Sequence, residues 1–82
     1  MSGKFRIETD RARLARILRR LRTEAKMPQG DLAQRLGRPQ SFVSRYETGQ
    51  RRLDLPELKE VCQELGITLR MLVEHFEDRH EA

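Results

Sequence analysis

Residues 32–51 read LAQRLGRPQSFVSRYETGQR and contain two short runs in which apolar residues recur every three or four positions. Gly37 and Pro39 separate the two runs. Glycine readily takes the left-handed conformation that ends a helix, and proline fits at the start of the next helix. We therefore predict two short helices joined by a tight turn, the second running from Pro39 to about Thr48 and closed by Gly49.

The second of these helices has two different faces when its residues are placed about 100° apart around the axis. Phe42, Val43 and Tyr46 fall together on one side. The opposite arc, roughly 140° wide, holds polar side chains with no carboxylate among them: Gln40, Ser41, Ser44, Arg45 and Thr48. A helix of this length is marginal alone, so its apolar side predicts a supporting scaffold. Its polar side matches the DNA major groove, where Arg bonds guanine and Gln bonds adenine.

Helical spacing of apolar residues also predicts a first and a fourth helix. Thr9 or Asp10 is placed to cap the first helix, whose apolar stripe comprises Leu14, Ile17, Leu18, Leu21 and Ala25. Asp54 and Glu57 have the spacing of a capping box ahead of the fourth helix, and Gly66 follows its last apolar residue.

A fifth helix follows Thr68, a residue suited to cap it, and carries the apolar stripe Leu69, Leu72, Val73 and Phe76. We therefore expect an all-α, compact five-helix fold. We place the folded domain at residues 9–77, a flexible N-terminal arm at residues 1–8 and a frayed end at residues 78–82.

Composition restricts the function. Eighty-two residues suit one domain, and with 37% apolar and 37% charged residues the core must be small. Cys62 is the single cysteine, which excludes an internal disulfide and suits a reducing compartment. No signal peptide or membrane-spanning run is evident, so we expect a cytoplasmic protein. His75 and His80 lie five residues apart, but a solvated surface explains them better than a metal site does.

Charge is distributed unevenly along the chain. Residues 1–26 carry nine Lys or Arg against three Asp or Glu, and residues 27–52 carry five against two. The last thirty residues carry three against eight. This asymmetry suggests that one face is turned toward a polyanion, although solvated helix faces give the same pattern.

The stretch QGDLAQRLGRPQSFVSRYETGQRRL, from Gln29 to Leu53, resembles the Xre, or phage Cro/repressor, helix-turn-helix family, which has a lambda-repressor-like fold. Its most specific elements are Gln29, the LAxxLG run, Val43 and the YExG run. The resemblance implies base reading by Gln40, Ser41, Ser44 and Arg45. It implies phosphate contacts from Gln29, Arg38, Thr48, Arg51 and Arg52. It also implies a buried ion pair between Arg22 and Glu47.

These observations favour a sequence-specific regulator of transcription that binds double-stranded DNA as a homodimer on a palindromic operator. The stripe on the fifth helix and the segment Lys4 to Glu8 are the candidate dimer contacts, and the stripe alternatively closes the monomer core. An antitoxin or adaptor that binds a protein partner through the acidic C-terminal third is one rival. An RNA-binding module is less favoured because few aromatic residues are present for stacking. We expect no enzyme, cofactor or metal, since no catalytic dyad or phosphate-binding glycine loop is visible.

Overall fold

The computed structural model describes residues 8–78 and contains five α-helices in that range. They are α1 (Asp10–Glu24), α2 (Gln29–Leu36), α3 (Gln40–Glu47), α4 (Leu55–Leu65) and α5 (Leu69–Glu77). The all-α, five-helix prediction is confirmed. The proposed arm at residues 1–8 and the proposed frayed end at residues 78–82 lie almost entirely outside the described residues.

Short-range side-chain bonds begin three of the helices. The Thr9 hydroxyl accepts a hydrogen bond from the Ala12 amide, and the Thr68 hydroxyl accepts one from the Met71 amide. At α4 the Asp54 carboxylate accepts from the Glu57 amide while Glu57 accepts from the Asp54 amide, which completes the capping box. The predicted caps of α1, α4 and α5 are thus confirmed, with Thr9 rather than Asp10 at the start of α1.

The two helices that follow proline begin differently. Pro28 and Pro39 are extended, with ψ of 154° at both, and neither offers a capping oxygen. Their carbonyls accept the first bonds of α2 and α3, from the amides of Leu32 and Phe42. Pro39 therefore precedes α3 by one residue instead of opening it, and the remaining amides of that first turn are left for outside partners.

The core lies where the five helices meet. Its fully buried side chains are Ile17, Leu18, Leu32, Val43, Val61, Cys62 and Leu72. Helix α3 packs against α1 and α2, while α4 packs against α2 and α5. Burial raises the pKa of the Cys62 thiol, as expected for a packed cysteine.

The stripe on α5 divides between core and surface. Leu72 is fully buried, and Leu69 and Phe76 pack against the core, but Val73 is 45% exposed. The Arg13 guanidinium lies 4.8 Å from the centre of the Phe76 ring, which joins α1 to the end of α5. Among residues 8–78, no helix is both long and apolar enough to cross a membrane.

Candidate nucleic-acid interface

Helix α3 presents its polar face to solvent. Gln40, Ser41 and Arg45 are exposed and Ser44 is half-buried, whereas Phe42, Val43 and Tyr46 are buried on the opposite side. The rings of Phe42 and Tyr46 meet edge to face, with centroids 5.6 Å apart. The apolar side thus fixes the rotation of the helix about its axis and leaves the four polar side chains as a row on the surface.

The turn before α3 and the loop after it are both tight. Gly37 ends α2 with φ of +68°, and the Arg38 amide returns a hydrogen bond to the Ala33 carbonyl at 2.9 Å. After α3, the amides of Gln50 and Arg51 both bond the Arg45 carbonyl, at 2.8 and 3.2 Å. Because the loop folds back on the helix end, residues 48–52 lie beside the polar face of α3.

A buried ion pair joins α1 to the end of α3. The Nε and Nη2 atoms of Arg22 donate to Glu47 at 2.7 and 3.0 Å, and Nη1 donates to the Met27 carbonyl at 2.8 Å. The side chains are only 10% and 2% exposed. The hydrogen bonds from Arg22 to Glu47 raise the pKa of the guanidinium, so the pair stays charged.

The same carboxylate orients a chain of amides that leads to the surface. Gln29 donates from Nε2 to Glu47 Oε1 at 2.9 Å, and Gln40 donates from Nε2 to Gln29 Oε1 at 3.4 Å. Gln40 is the first residue of α3, and Gln29 is the first residue of α2. The structure therefore connects a residue expected to contact phosphate with one expected to read a base.

Two of the predicted phosphate ligands, Arg38 and Arg51, are held by Glu57. Arg51 donates to both Glu57 oxygens at 3.2 and 3.0 Å, and Arg38 Nη2 lies 3.5 Å from Glu57 Oε2. Both guanidinium groups also stack on the Phe42 ring, 4.4 Å from its centre for Arg38 and 4.7 Å for Arg51. The hydrogen bonds from Arg51 and from the Asp54 amide lower the pKa of Glu57 to about 2.

The remaining predicted site residues are arranged differently. Thr48 directs its hydroxyl to the carbonyls of Ser44 and Arg45, at 2.9 and 3.2 Å, which completes the end of α3. Within residues 8–78, the side chains of Ser41, Ser44, Arg45 and Arg52 make no hydrogen bond or ion pair. The sequence analysis did not predict that Glu57 would bind Arg38 and Arg51. The feature that could have indicated this pairing is the position of Glu57 in a capping box that directly follows two arginines.

The histidines and carboxylates in the described part of the chain bear on the metal-site alternative. No three His, Cys, Asp or Glu residues there are grouped as metal ligands. Arg20 donates from Nη2 to Nδ1 of His75 at 3.2 Å, and His80 lies outside the described residues.

Comparison with known proteins identifies the family. The sequence model of the helix-turn-helix domain family matches residues 13–76, which is most of the chain. No protein with a curated description matches the chain. Among solved structures, an XRE-family like protein from Pseudomonas syringae pv. tomato is 40% identical, with a TM-score of 0.78 and 83% of each chain covered.

Two more distant structures share the fold. The clp gene regulator ClgR from Corynebacterium glutamicum is 23% identical with a TM-score of 0.75, over 80% of this chain and 70% of that one. A tyrosine-to-phenylalanine mutant of the restriction-modification controller protein C.Esp1396I is 22% identical with a TM-score of 0.76, over 85% of this chain and 90% of that one. With the 13–76 match and the 40% identical relative, these neighbours lead to one conclusion: the chain belongs to the helix-turn-helix domain family and is Xre-like.

Proposed function

We propose that this protein is a regulator of transcription that binds a specific sequence of double-stranded DNA by placing α3 in the major groove. The observation that carries the proposal is the polar face of α3, where Ser41, Ser44 and Arg45 have no partner within residues 8–78. A row of polar side chains with hydrogen-bond donors and no carboxylates can bond the edges of DNA bases. The buried opposite side of α3 holds this row in place. A non-enzymatic role in the cytoplasm is part of the same proposal.

The first test identifies the DNA and separates base reading from anchoring. Selection from a random duplex library should yield an enriched sequence. On that sequence, Arg45→Ala and Gln40→Ala should each lose about 1–3 kcal/mol of discrimination at particular base pairs, with little change on unrelated duplex. Arg52→Ala should instead weaken binding to every sequence alike. If no sequence is enriched, or if the α3 variants keep full base preference, the proposed reading face is refuted.

We propose further that two copies bind a palindromic operator with half-sites about 34 Å apart, since one such domain reads few base pairs. The exposed edge of the α5 stripe supports this. Val73 and exposed Leu55 border a shallow apolar groove of about 190 Å³ whose floor includes Leu14, Leu58 and Phe76. A second copy would cover this groove. The other candidate contact, Lys4 to Glu8, lies outside the described residues except for Glu8.

Sedimentation of the protein with and without operator tests the dimer. Val73→Glu should reduce the stoichiometry from two chains per operator to one, or weaken binding strongly, because it places a charge in the apolar contact. Met71→Glu is the matched control, since Met71 is 43% exposed on the same helix but lies outside the groove. One wild-type chain per palindromic site at saturation would exclude the dimer.

The alternative is an adaptor, in which the acidic C-terminal third and this groove bind a protein partner. The DNA selection above distinguishes the two: an adaptor would bind no duplex specifically, and its α3 variants would behave like the wild type.

A further inference from the structure

A second open groove lies between α1 and the C-terminal end of α3. It has a volume of about 510 Å³ and is lined, among others, by Arg11, Ala12, Ala15, Arg16, Arg19 and Thr48. The two alanines keep its floor low, so the three arginines rise along one wall. The groove continues into the loop of residues 48–52, where phosphate contacts are already expected.

The groove is strongly cationic. Arg19 is exposed and makes no side-chain bond within residues 8–78. Arg11 donates one hydrogen bond from Nη2 to the Gly49 carbonyl, at 3.2 Å, which holds it against the loop. Among the described residues, Glu47 is the acidic residue that lines the groove, and its carboxylate is buried against Arg22 and Gln29. No acidic group in the lining is therefore available to neutralise Arg19.

Within residues 8–78, Arg16 is the arginine of the groove that pairs with a carboxylate outside it. Its Nε and Nη2 atoms donate to Glu8 at 3.0 and 3.2 Å, and the pair is 42% and 36% exposed. An ion pair this exposed contributes little and exchanges readily with another anion. Glu8 thus competes with any anion for Arg16.

We propose that this groove, which we call the α1 strip, binds the sugar-phosphate backbone of DNA beside the major groove that α3 enters, with Arg19 as its main contact. The inference rests on the proposed DNA-binding function and adds residues to it. Eight residues separate Arg11 from Arg19, about 12 Å along the helix axis. This length allows the strip to contact more than one phosphate of a DNA strand.

The arrangement favours a polyanion over a small anionic ligand. Small-ligand sites are enclosed and bring polar groups together on one point. In the α1 strip the cations are spaced along an open wall instead. The strip also joins the end of the recognition helix, so a backbone that passes residues 48–52 continues onto it.

The test is the salt dependence of binding to a random-sequence 20-base-pair duplex, measured by fluorescence anisotropy. Each lost phosphate contact should reduce the slope of log K against log salt by about 0.9. Arg19→Gln should show this reduction, so that between 50 and 200 mM salt its affinity falls about 3.5-fold less than that of the wild type. Arg70→Gln is the matched control, because Arg70 is an exposed arginine on α5, outside the strip, and it should keep the wild-type slope.

A second pair of variants tests the competition at Arg16. Glu8→Gln should remove this competing carboxylate and increase the slope by up to about 0.9, giving tighter binding at low salt. Glu60→Gln makes the same change in net charge at an exposed position on α4 and should not alter the slope. Thermal melts check that all four variants are folded.

The outcomes separate the two proposals. If wild-type protein binds the duplex but Arg19→Gln has the same slope as Arg70→Gln, the α1 strip is refuted and the α3 interface stands. If Glu8→Gln matches Glu60→Gln, Arg16 does not belong to the strip. If the wild type does not bind duplex DNA even at 50 mM salt, both the strip and the proposed function are wrong.

Discussion

Replacing Glu47 with glutamine should cost the domain about 3–5 kcal/mol of stability, because it breaks a buried ion pair from one side. In the folded protein, Glu47 accepts two hydrogen bonds from Arg22, at 2.7 and 3.0 Å, and one from Gln29, at 2.9 Å. The glutamine amide would turn a donor toward the guanidinium. Arg22 would then keep its charge in the interior with only neutral acceptors, the Met27 carbonyl and the one amide oxygen of the glutamine, in place of the carboxylate.

This loss is large for a chain of 82 residues. At about 0.05–0.15 kcal/mol per residue, the total stability is roughly 4–12 kcal/mol. For domains of this size each kcal/mol lowers Tm by about 4–8 °C, so Glu47→Gln should melt about 12–40 °C below the wild type. Thermal denaturation followed by circular dichroism measures this difference.

The pair of Arg16 with Glu8 is the matched control. It has the same chemistry and the same bidentate geometry, at 3.0 and 3.2 Å, but it is solvent-exposed. Glu8→Gln should leave Tm nearly unchanged, since surface ion pairs contribute little. If Glu47→Gln also melts within about 2 °C of the wild type, the pair does not stabilise the fold and the argument from burial is wrong.

Three further predictions concern single positions. Gly30→Ala should stabilise α2 by about 0.5–1 kcal/mol in denaturant titrations, because its nearest neighbour would be 4.0 Å from the new Cβ, whereas Gly37→Ala, at φ of +68°, should destabilise. Because folding lowers the pKa of Glu57 from 4.5 to about 2, the wild type should lose stability as the pH falls through this range and the carboxylate becomes protonated. Glu57→Gln should lose less stability in thermal melts over the same range. Cys62 should react with thiol reagents only after unfolding, since it is fully buried.

The helix boundaries were predictable because their causes are local. The hydroxyl of Thr68 reaches an amide three residues away, and the Asp54 and Glu57 bonds span the same distance. Gly37 and Gly66 take the positive φ that their positions at helix ends implied. Each of these features depends on neighbouring residues alone, so composition and spacing are sufficient to indicate them.

The depth of the α5 stripe was not predictable in the same way. A period of 3.6 residues places Leu72 and Val73 on the same side of the helix, but one is buried and the other is 45% exposed. The difference depends on how far α1 and α4 extend over α5. That distance follows from the packing of three helices and is not encoded in the pattern of any one of them.

Which arginines pair with a carboxylate was the least predictable feature of the candidate site. Arg51 and Arg52 are adjacent and look equivalent in sequence, yet Arg51 binds Glu57 in a bidentate pair while Arg52 has an exposed side chain. Pairing across a loop depends on where the fold brings a carboxylate. As a result, a count of basic residues indicated a surface for a polyanion but did not distinguish structural cations from available ones.

A double variant of the buried ion pair between Arg22 and Glu47 can distinguish its contribution to stability from its contribution to DNA recognition. Apolar side chains of similar volume often replace a buried ion pair without loss of stability, so Arg22→Met combined with Glu47→Leu should recover much of the stability lost in either single variant. Stability alone therefore does not require the carboxylate at Glu47. The carboxylate does hold the amide of Gln29, which in turn accepts from Gln40. The double variant should then fold but bind its selected duplex more weakly, with the loss concentrated at the base pair that we propose Gln40 reads. A double variant with both wild-type Tm and wild-type base preference would show that the amide chain plays no part in recognition.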